Sequence, residues 1–531
     1  MAKFMTSKEA VELIKDGMSI ATVGFTMIGV AEDILRQIEK SFLEKGTPRN
    51  LTLIHAAGQS DTKNGIEHFA HEGLLKRVIG SHWGFAPKIA RLIYENKVEA
   101  YALPQGRIAN LYKAIAGGAP GLLSPIGLDT YVDPLLGGAK INERTKKCED
   151  IIERVQIEGK TYLLYKAIPI DIAIIRGTCA DERGNISCRE EAVKLEALSA
   201  TLAARRFGGK VIAQVKWLSK KETLHPKDIV VPGIFVDAVV LAQNQEETHR
   251  QTFSTFYDPS LSGDLRAPEV SFQPLPFNLR KIIGRRAIME ITPGAVINLG
   301  TGIPGDTIGP IAAEEGILSE LVLTVESGTI GGVPGGGVDF GISKNSDAII
   351  NHMDQFDFYT GSGVDITFMG AAEVDREGNV NVSKFGSRIA GCGGFIDITQ
   401  MAKKVVFCLS FTVGKSVIHV NDGKLEIVND GKPVKFVPQV NHITFSGKRA
   451  RNMGQKVLYI TERAVFELRS EGLTLVEIAP GVNLERDILD KMQFKPKIIF
   501  PLRKMDPRIF LNRPIDMKDI LSFYKKEKIK A

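Results

Sequence analysis

The chain repeats itself, and the repeat limits its possible folds more than any figure of composition. Around residue 171 it reads DIAIIRGTCADERGNI, and around residue 365 DITFMGAAEVDREGNV. One constant offset carries Asp171 onto Asp365, Asp181 onto Asp375, and Gly184-Asn185 onto Gly378-Asn379. A second pair lies nearer the start of each half, LTLIHAAG from Leu51 and LVLTVESG from Leu321. There Leu51, Leu53 and Gly58 fall on Leu321, Leu323 and Gly328, but Ala56 falls on Glu326. Shared positions imply a duplicated scaffold. An acid closing an apolar strand in one copy alone implies chemistry in that copy.

Short apolar runs alternate with amphipathic stretches in both halves. SIATVGF (19–25), NLTLIHAAG (50–58), DIAIIRG (171–177), VIAQV (211–215) and VDAVVLA (236–242) read as buried strands, with helices over 31–42 and 190–206 between them. AVINLG (295–300), LVLTVES (321–327), DITFMGA (365–371) and KVVFCLS (404–410) repeat the scheme. The predicted class is α/β: two related, open, mostly parallel domains from an internal duplication, with added β-hairpin structure around 424–437. At 531 residues the chain is too long for one core. The four prolines of 257–277 mark an extended connection, so the halves are predicted as 1–275 and 276–531. Asn278 starts the next helix, and Pro293-Gly294 leads into the next strand.

Charge excludes some partners. A net +6 over this length, with no basic block except Lys525 to Lys530 in the tail, does not argue for nucleic acid. The five cysteines form no CxxC pair and have no histidine cluster beside them, so neither a metal site nor a disulfide framework is expected. MAKFMTSKEAVELIKDG carries charge through what would be a signal peptide's apolar core, and reads as a helix capped at Ser7. No apolar run approaches about 18 residues, so no membrane span is expected. A reduced, cytoplasmic protein fits these features.

Several motifs carry candidate chemistry. GTGIPG (300–305) places Gly300, Gly302 and Gly305 in the GxGxxG pattern, after a strand and before a helix. A lone match is weak, and Pro304 makes close strand-to-helix packing the better reading than a dinucleotide site. ESGTIGGVPGGG (326–337) is too glycine-dense for a helix or regular strand and reads as a loop open to backbone contacts. Glu326 stands at its mouth, beyond the carboxyl end of a strand where α/β sheets bind ligands; capping a turn is the alternative. In GCGGF (391–395), the amides of Gly391, Gly393 and Gly394 could face an oxyanion or simply form a turn. Cys392 has no histidine partner in the sequence and reads as a packed thiol. Gln105 in PQGR could donate to an oxyanion, although a surface turn is the simpler reading. His68 and His71, three apart on an expected helix, read as packing or partner contacts.

EHFAHEGLLKR, YDPSLSG, GRRA, ESGTIGGVPGGGV, RIAGCGGFIDITQ, YITERAVF and EIAPG occur in order along almost the whole chain. On these residues the sequence resembles the class I coenzyme A transferases in their fused form, and among them those acting on short-chain acids such as propionate and acetate. The resemblance implies that Glu326 is the nucleophile, with Gln105 and the amides around Gly393 and Gly394 as oxyanion donors. It assigns Gly300, Gly302, Gly305 and Gly391 to the acyl-CoA site. It implies acyl-CoA and carboxylic acids as substrates, no permanently bound cofactor, and a homo-oligomer, with a tetramer expected. One departure is GFTMIGVAED, with Val30-Ala31 where members usually carry a proline, in a loop able to shape the acyl pocket. An acyl-CoA hydrolase on the same scaffold and a non-catalytic CoA-ester-binding protein are the alternatives.

Overall fold

A computed structural model describes residues 2–268, 274–361, 363–414, 416–432 and 434–522. The basic run Lys525 to Lys530 and part of the predicted connection lie outside the described residues.

Each half is built on one large sheet, and the duplication is visible strand by strand. In the first, Ala238–Leu241, Lys210–Ser219, Ile172–Asp181, Ser19–Thr22 and Leu51–His55 lie side by side, all parallel. In the second, Lys456–Ile460, Lys404–Cys408, Ile366–Gly370, Val296–Leu299 and Val322–Val325 take the same order and direction. These central strands are almost fully buried, which is why they read as apolar runs without alternation. The repeated polar residues fix equivalent joints. Asp171 accepts from the Ser19 N–H at 2.8 Å, and Asp365 from the Val296 N–H at 2.9 Å. Asp181 accepts from the backbone and side chain of Asn185, and Asp375 from those of Asn379. Asn185 in turn accepts from the Gly233 N–H, and Asn379 from the Gly447 N–H, each at 2.9 Å.

Beyond the common strands the halves part. The first sheet continues with parallel Leu75–Gly80 and Glu99–Ala102. The second folds back at Thr329–Ile330, antiparallel to Val322–Val325. Its other side adds the antiparallel Ala464–Arg469 and Gly472–Ile478. Each sheet has its own hydrophobic cluster, and that of the first half also takes in Val325, Phe340, Met353 and Cys392 from the second.

Some local expectations shift. The first helix, Ser7–Val11, is capped by Thr6 rather than Ser7, in a capping box with Glu9. The helix expected over 190–206 forms only as Ala197–Arg206. The connection contains one helical turn, Pro259–Ser262, capped by Asp258. The hairpin pairs Val417–Asn421 with Lys424–Asn429 and turns at Asp422-Gly423, upstream of the stretch expected from sequence. Both turn residues have positive φ, as an Asp-Gly type I′ turn needs.

Candidate active site

Val322–Val325 ends at Glu326, and the chain then reverses so tightly that Gly328 N–H donates to the Val325 carbonyl at 3.1 Å. Gly328 has φ +120°, and a Cβ there would sit 2.2 Å from the Ile350 carbonyl oxygen, so only glycine fits. Ser327 Oγ ties the turn to the Gly341 carbonyl at 2.6 Å. The glycine-dense segment is therefore not wholly loop. Thr329–Ile330 pairs with Val322–Val325 and Val333–Pro334 with Ser343–Lys344, and the glycines make the bends.

The turn holds the Glu326 side chain only 8% exposed, with no hydrogen-bond partner at Oε2 among the described residues. Burial raises its carboxyl from 4.5 to about 7, against the opposing hydrogen bonds of its own backbone amide and the Asn298 amide. The sister residue Ala56 is fully buried and its carbonyl accepts from Ser81 Oγ, a purely structural role.

Gln105 comes from the other half. It is the first residue of helix Gln105–Ala116 and is 3% exposed, so PQGR is a buried helix start and not a surface turn. Its N–H donates to the Gly393 carbonyl at 3.0 Å. Directly behind it, Asp397 accepts from the Gly106 N–H at 3.0 Å and from Arg107 Nε at 2.9 Å. Burial raises the Asp397 carboxyl in spite of Arg107. The Gln105 amide nitrogen lies 2.8 Å from His352 Nε2, and His352 Nδ1 lies 2.6 Å from Glu196 Oε2.

Glu326 and Gln105 line one cavity of about 600 Å³ between the halves. Gly300, Gly391, Gly393 and Gly394 also line it, while Gly302 and Gly305 lie outside its walls. Gly302, at φ +86°, instead starts helix Ile303–Glu314, and Gly305 N–H returns to the Gly300 carbonyl. The Gly391 and Gly393 amides already donate to the Ser383 and Ser81 carbonyls, at 3.0 and 2.9 Å. Cys392 contacts the Leu103 carbonyl, and burial pushes its thiol up to about 12, far from a reactive thiolate.

Sequence reasoning did not single out the aromatic wall of Phe25, His82, Phe85 and Phe340, nor His352, Glu196 and Asp397. Only the loop after GF, which begins at Thr26 beside Phe25, gave a signal. His68 and His71 do not share an α-helix: His68 lies in the 3₁₀ turn Gly65–Phe69 and His71 beyond it. His68 bridges Glu32 and Glu39, and His71 also reaches Glu39. Among the described residues, no group of three or more His, Cys, Asp or Glu could hold a metal, and no helix is long and apolar enough to cross a membrane.

The chain is similar to known proteins along almost its whole length. Residues 4–242 match the coenzyme A transferase family profile. A caffeate CoA-transferase of Acetobacterium woodii is 42% identical over 516 residues, covering 96% of this chain and 98% of its own. The acetate CoA-transferase YdiF of Escherichia coli strain K12 is 43% identical over 510 residues, covering 96% and 95%. The crystal structure of the acyl-CoA transferase YdiF from E. coli O157:H7, a thioester complex with CoA, superposes with TM-score 0.90 at 41% identity, covering 97% of both chains.

Proposed function

The chain belongs to the coenzyme A transferase family and is a CoA-transferase using CoA thioesters as substrates; from that premise we propose that Glu326 is its nucleophile and short-chain monocarboxylates are its acids. The transferase reading stands over a hydrolase or a non-catalytic binder, because relatives matching along their whole length are transferases.

The observation that carries the assignment is a buried carboxyl, unpartnered at Oε2, facing a cavity it shares with Gln105. Ionised, Glu326 attacks the thioester carbonyl. The carbonyl oxygen takes the negative charge and accepts from the Gln105 amide, with Gly394 N–H, not Gly393, as the second donor. Collapse expels CoA thiolate and leaves a mixed anhydride. The thiolate then attacks the glutamyl carbonyl, giving a glutamyl-CoA thioester and releasing the first acid as carboxylate. A second carboxylate reverses these steps and leaves as its CoA ester, a ping-pong cycle. One thioester replaces another, so no outside energy source is required. Burial of Glu326 keeps water from the intermediate.

The wall around Gln105 favours acids with a single charge. It is lined by Phe25, Phe85, Phe340 and His82, and burial lowers His82 to about 4, leaving it neutral. A second carboxylate placed against these rings would lose its hydration, and the cations of the same cavity, Arg388 and Lys435, lie outside this aromatic group. The division at 275, a homo-oligomeric assembly and a cytoplasmic location complete the proposal.

The test is intact mass after incubation with propionyl-CoA and no acceptor acid, followed by borohydride reduction and peptide mapping. Glu326 recovered as the alcohol supports the assignment. An unmodified Glu326, in protein that binds the ester, overturns it.

A further inference from the structure

Beyond the groups that meet the substrate, a buried relay crosses between the halves three times. Glu196, of the first half, faces His352 of the second at 2.6 Å, and His352 faces Gln105 of the first at 2.8 Å. Glu196 and His352 are both 0% exposed, and Gln105 is 3% exposed. Gln105 then returns its backbone N–H to the Gly393 carbonyl of the second half. A buried carboxylate and imidazole are costly to keep away from water unless each has a partner. The fold nevertheless keeps the pair together, immediately behind a residue of the cavity.

The hydrogen bonds define what such a pair can do. A carboxylate only accepts, so the Nδ1 facing Glu196 carries the hydrogen. With that hydrogen on Nδ1, Nε2 offers a lone pair, which accepts from the Gln105 amide nitrogen 2.8 Å away. That bond distinguishes the two ends of an otherwise nearly symmetrical amide. Nitrogen toward His352 leaves a second N–H for the cavity. With a hydrogen on Nε2, the amide would turn and present its oxygen to the imidazole. His352 also packs against Phe25 and Phe356, with ring centroids at 6.2 and 5.3 Å, which restrains its ring.

We propose that His352 is a positioning residue that sets the amide orientation of Gln105 as oxyanion donor, and that Glu196 acts through it by fixing its tautomer. The proposal rests on the reading of Gln105 given above. No proton moves along the relay, since the thioester exchange needs none. Its role is to hold one N–H in place before charge develops.

Steady-state kinetics in a double-mutant cycle separate this role from a structural one. His352→Asn keeps a donor toward Glu196 but loses the acceptor toward Gln105. His352→Gln places an acceptor near the old Nε2. Glu196→Gln keeps the shape of the partner but admits the other tautomer. His352→Asn is expected to lower kcat about 10- to 100-fold with KM for the acid within about twofold. His352→Gln should recover most of that loss, and Glu196→Gln should lose about tenfold. Combined with Gln105→Ala, neither His352→Asn nor Glu196→Gln should cost anything further, because the residue they act on is gone.

The proposal is overturned if these losses persist undiminished on top of Gln105→Ala. It is equally overturned if His352→Gln is no better than His352→Asn, or if Glu196→Gln turns over like wild type. If His352→Asn does not fold, the Glu196→Gln cycle decides alone. If Gln105→Ala by itself turns over at the wild-type rate, the oxyanion reading fails first, a result distinguishable from failure of the relay.

Discussion

Arg107 and Asp397 come from opposite halves of the chain and meet in a buried ion pair, Nε to Oδ1 at 2.9 Å, immediately behind Gln105. Their side chains are 6% and 0% exposed. Asp397 also accepts the Gly106 N–H, so one carboxylate fixes both the first turn of the Gln105 helix and the contact between halves. Removing its charge leaves a buried guanidinium uncompensated. Asp397→Asn should cost about 3–5 kcal/mol in urea unfolding and slow turnover as well. Wild-type stability in this variant would contradict the clamp.

Glu326 must be ionised to attack, and its carboxyl sits at about 7. The first half-reaction should therefore rise with pH and level off above neutrality, falling about tenfold per unit well below pH 7. Rapid-quench mass spectrometry of the CoA adduct measures it directly. A rate flat from pH 5 to 8 would remove Glu326 as the titrating group.

The same shift has a stability consequence of opposite sense. A carboxyl raised from 4.5 unfolded to about 7 folded favours the native state at low pH; that contribution is lost as pH rises from the first value through the second, and is constant above it. Glu326→Gln carries no charge at any pH. It should be more stable than wild type by about 3 kcal/mol at pH 8, with the difference vanishing below pH 4. Its transferase activity should drop at least about 1000-fold. Equal denaturation midpoints at pH 8 would argue against a desolvated carboxylate.

Gln105→Ala should lower kcat about 100- to 1000-fold while still forming the Glu326 adduct from propionyl-CoA on long incubation. Adduct mass against time reads both quantities. Failure to form any adduct would instead make Gln105 essential to binding the ester.

Acceptor preference follows from the neutral wall. Acetate, propionate and butyrate should exceed succinate by about 100-fold or more in kcat/KM, assayed by exchange from propionyl-CoA. Comparable use of succinate would mean that its second carboxylate reaches Arg388 or Lys435, which line the same cavity, instead of the aromatic wall.

The repeat, the nine strands and the place of Glu326 at a strand end were legible because each is local. An apolar run, a glycine that must bend and an acid in one copy alone can be read from consecutive residues. Gly302 and Gly305 followed their pattern into a helix start but stand outside the cavity, since the GxGxxG spacing specifies a turn and not what faces it. Gln105 looked like a surface turn because a buried helix start and an exposed turn share the same Pro-Gln-Gly composition.

What the sequence alone determined is the duplicated α/β scaffold and a strand end where one copy has an acid and the other an alanine, because periodicity and punctuation act over a few residues. Only the tertiary structure decided the company that acid keeps. His352 lies 247 residues from Gln105 and 156 from Glu196, and Asp397 lies 291 from Gly106. Such contacts leave no spacing to read, since they arise only when the two halves pack together. That packing excludes water, which lifts the Glu326 carboxyl to about 7 and gives buried polar groups no partners but one another.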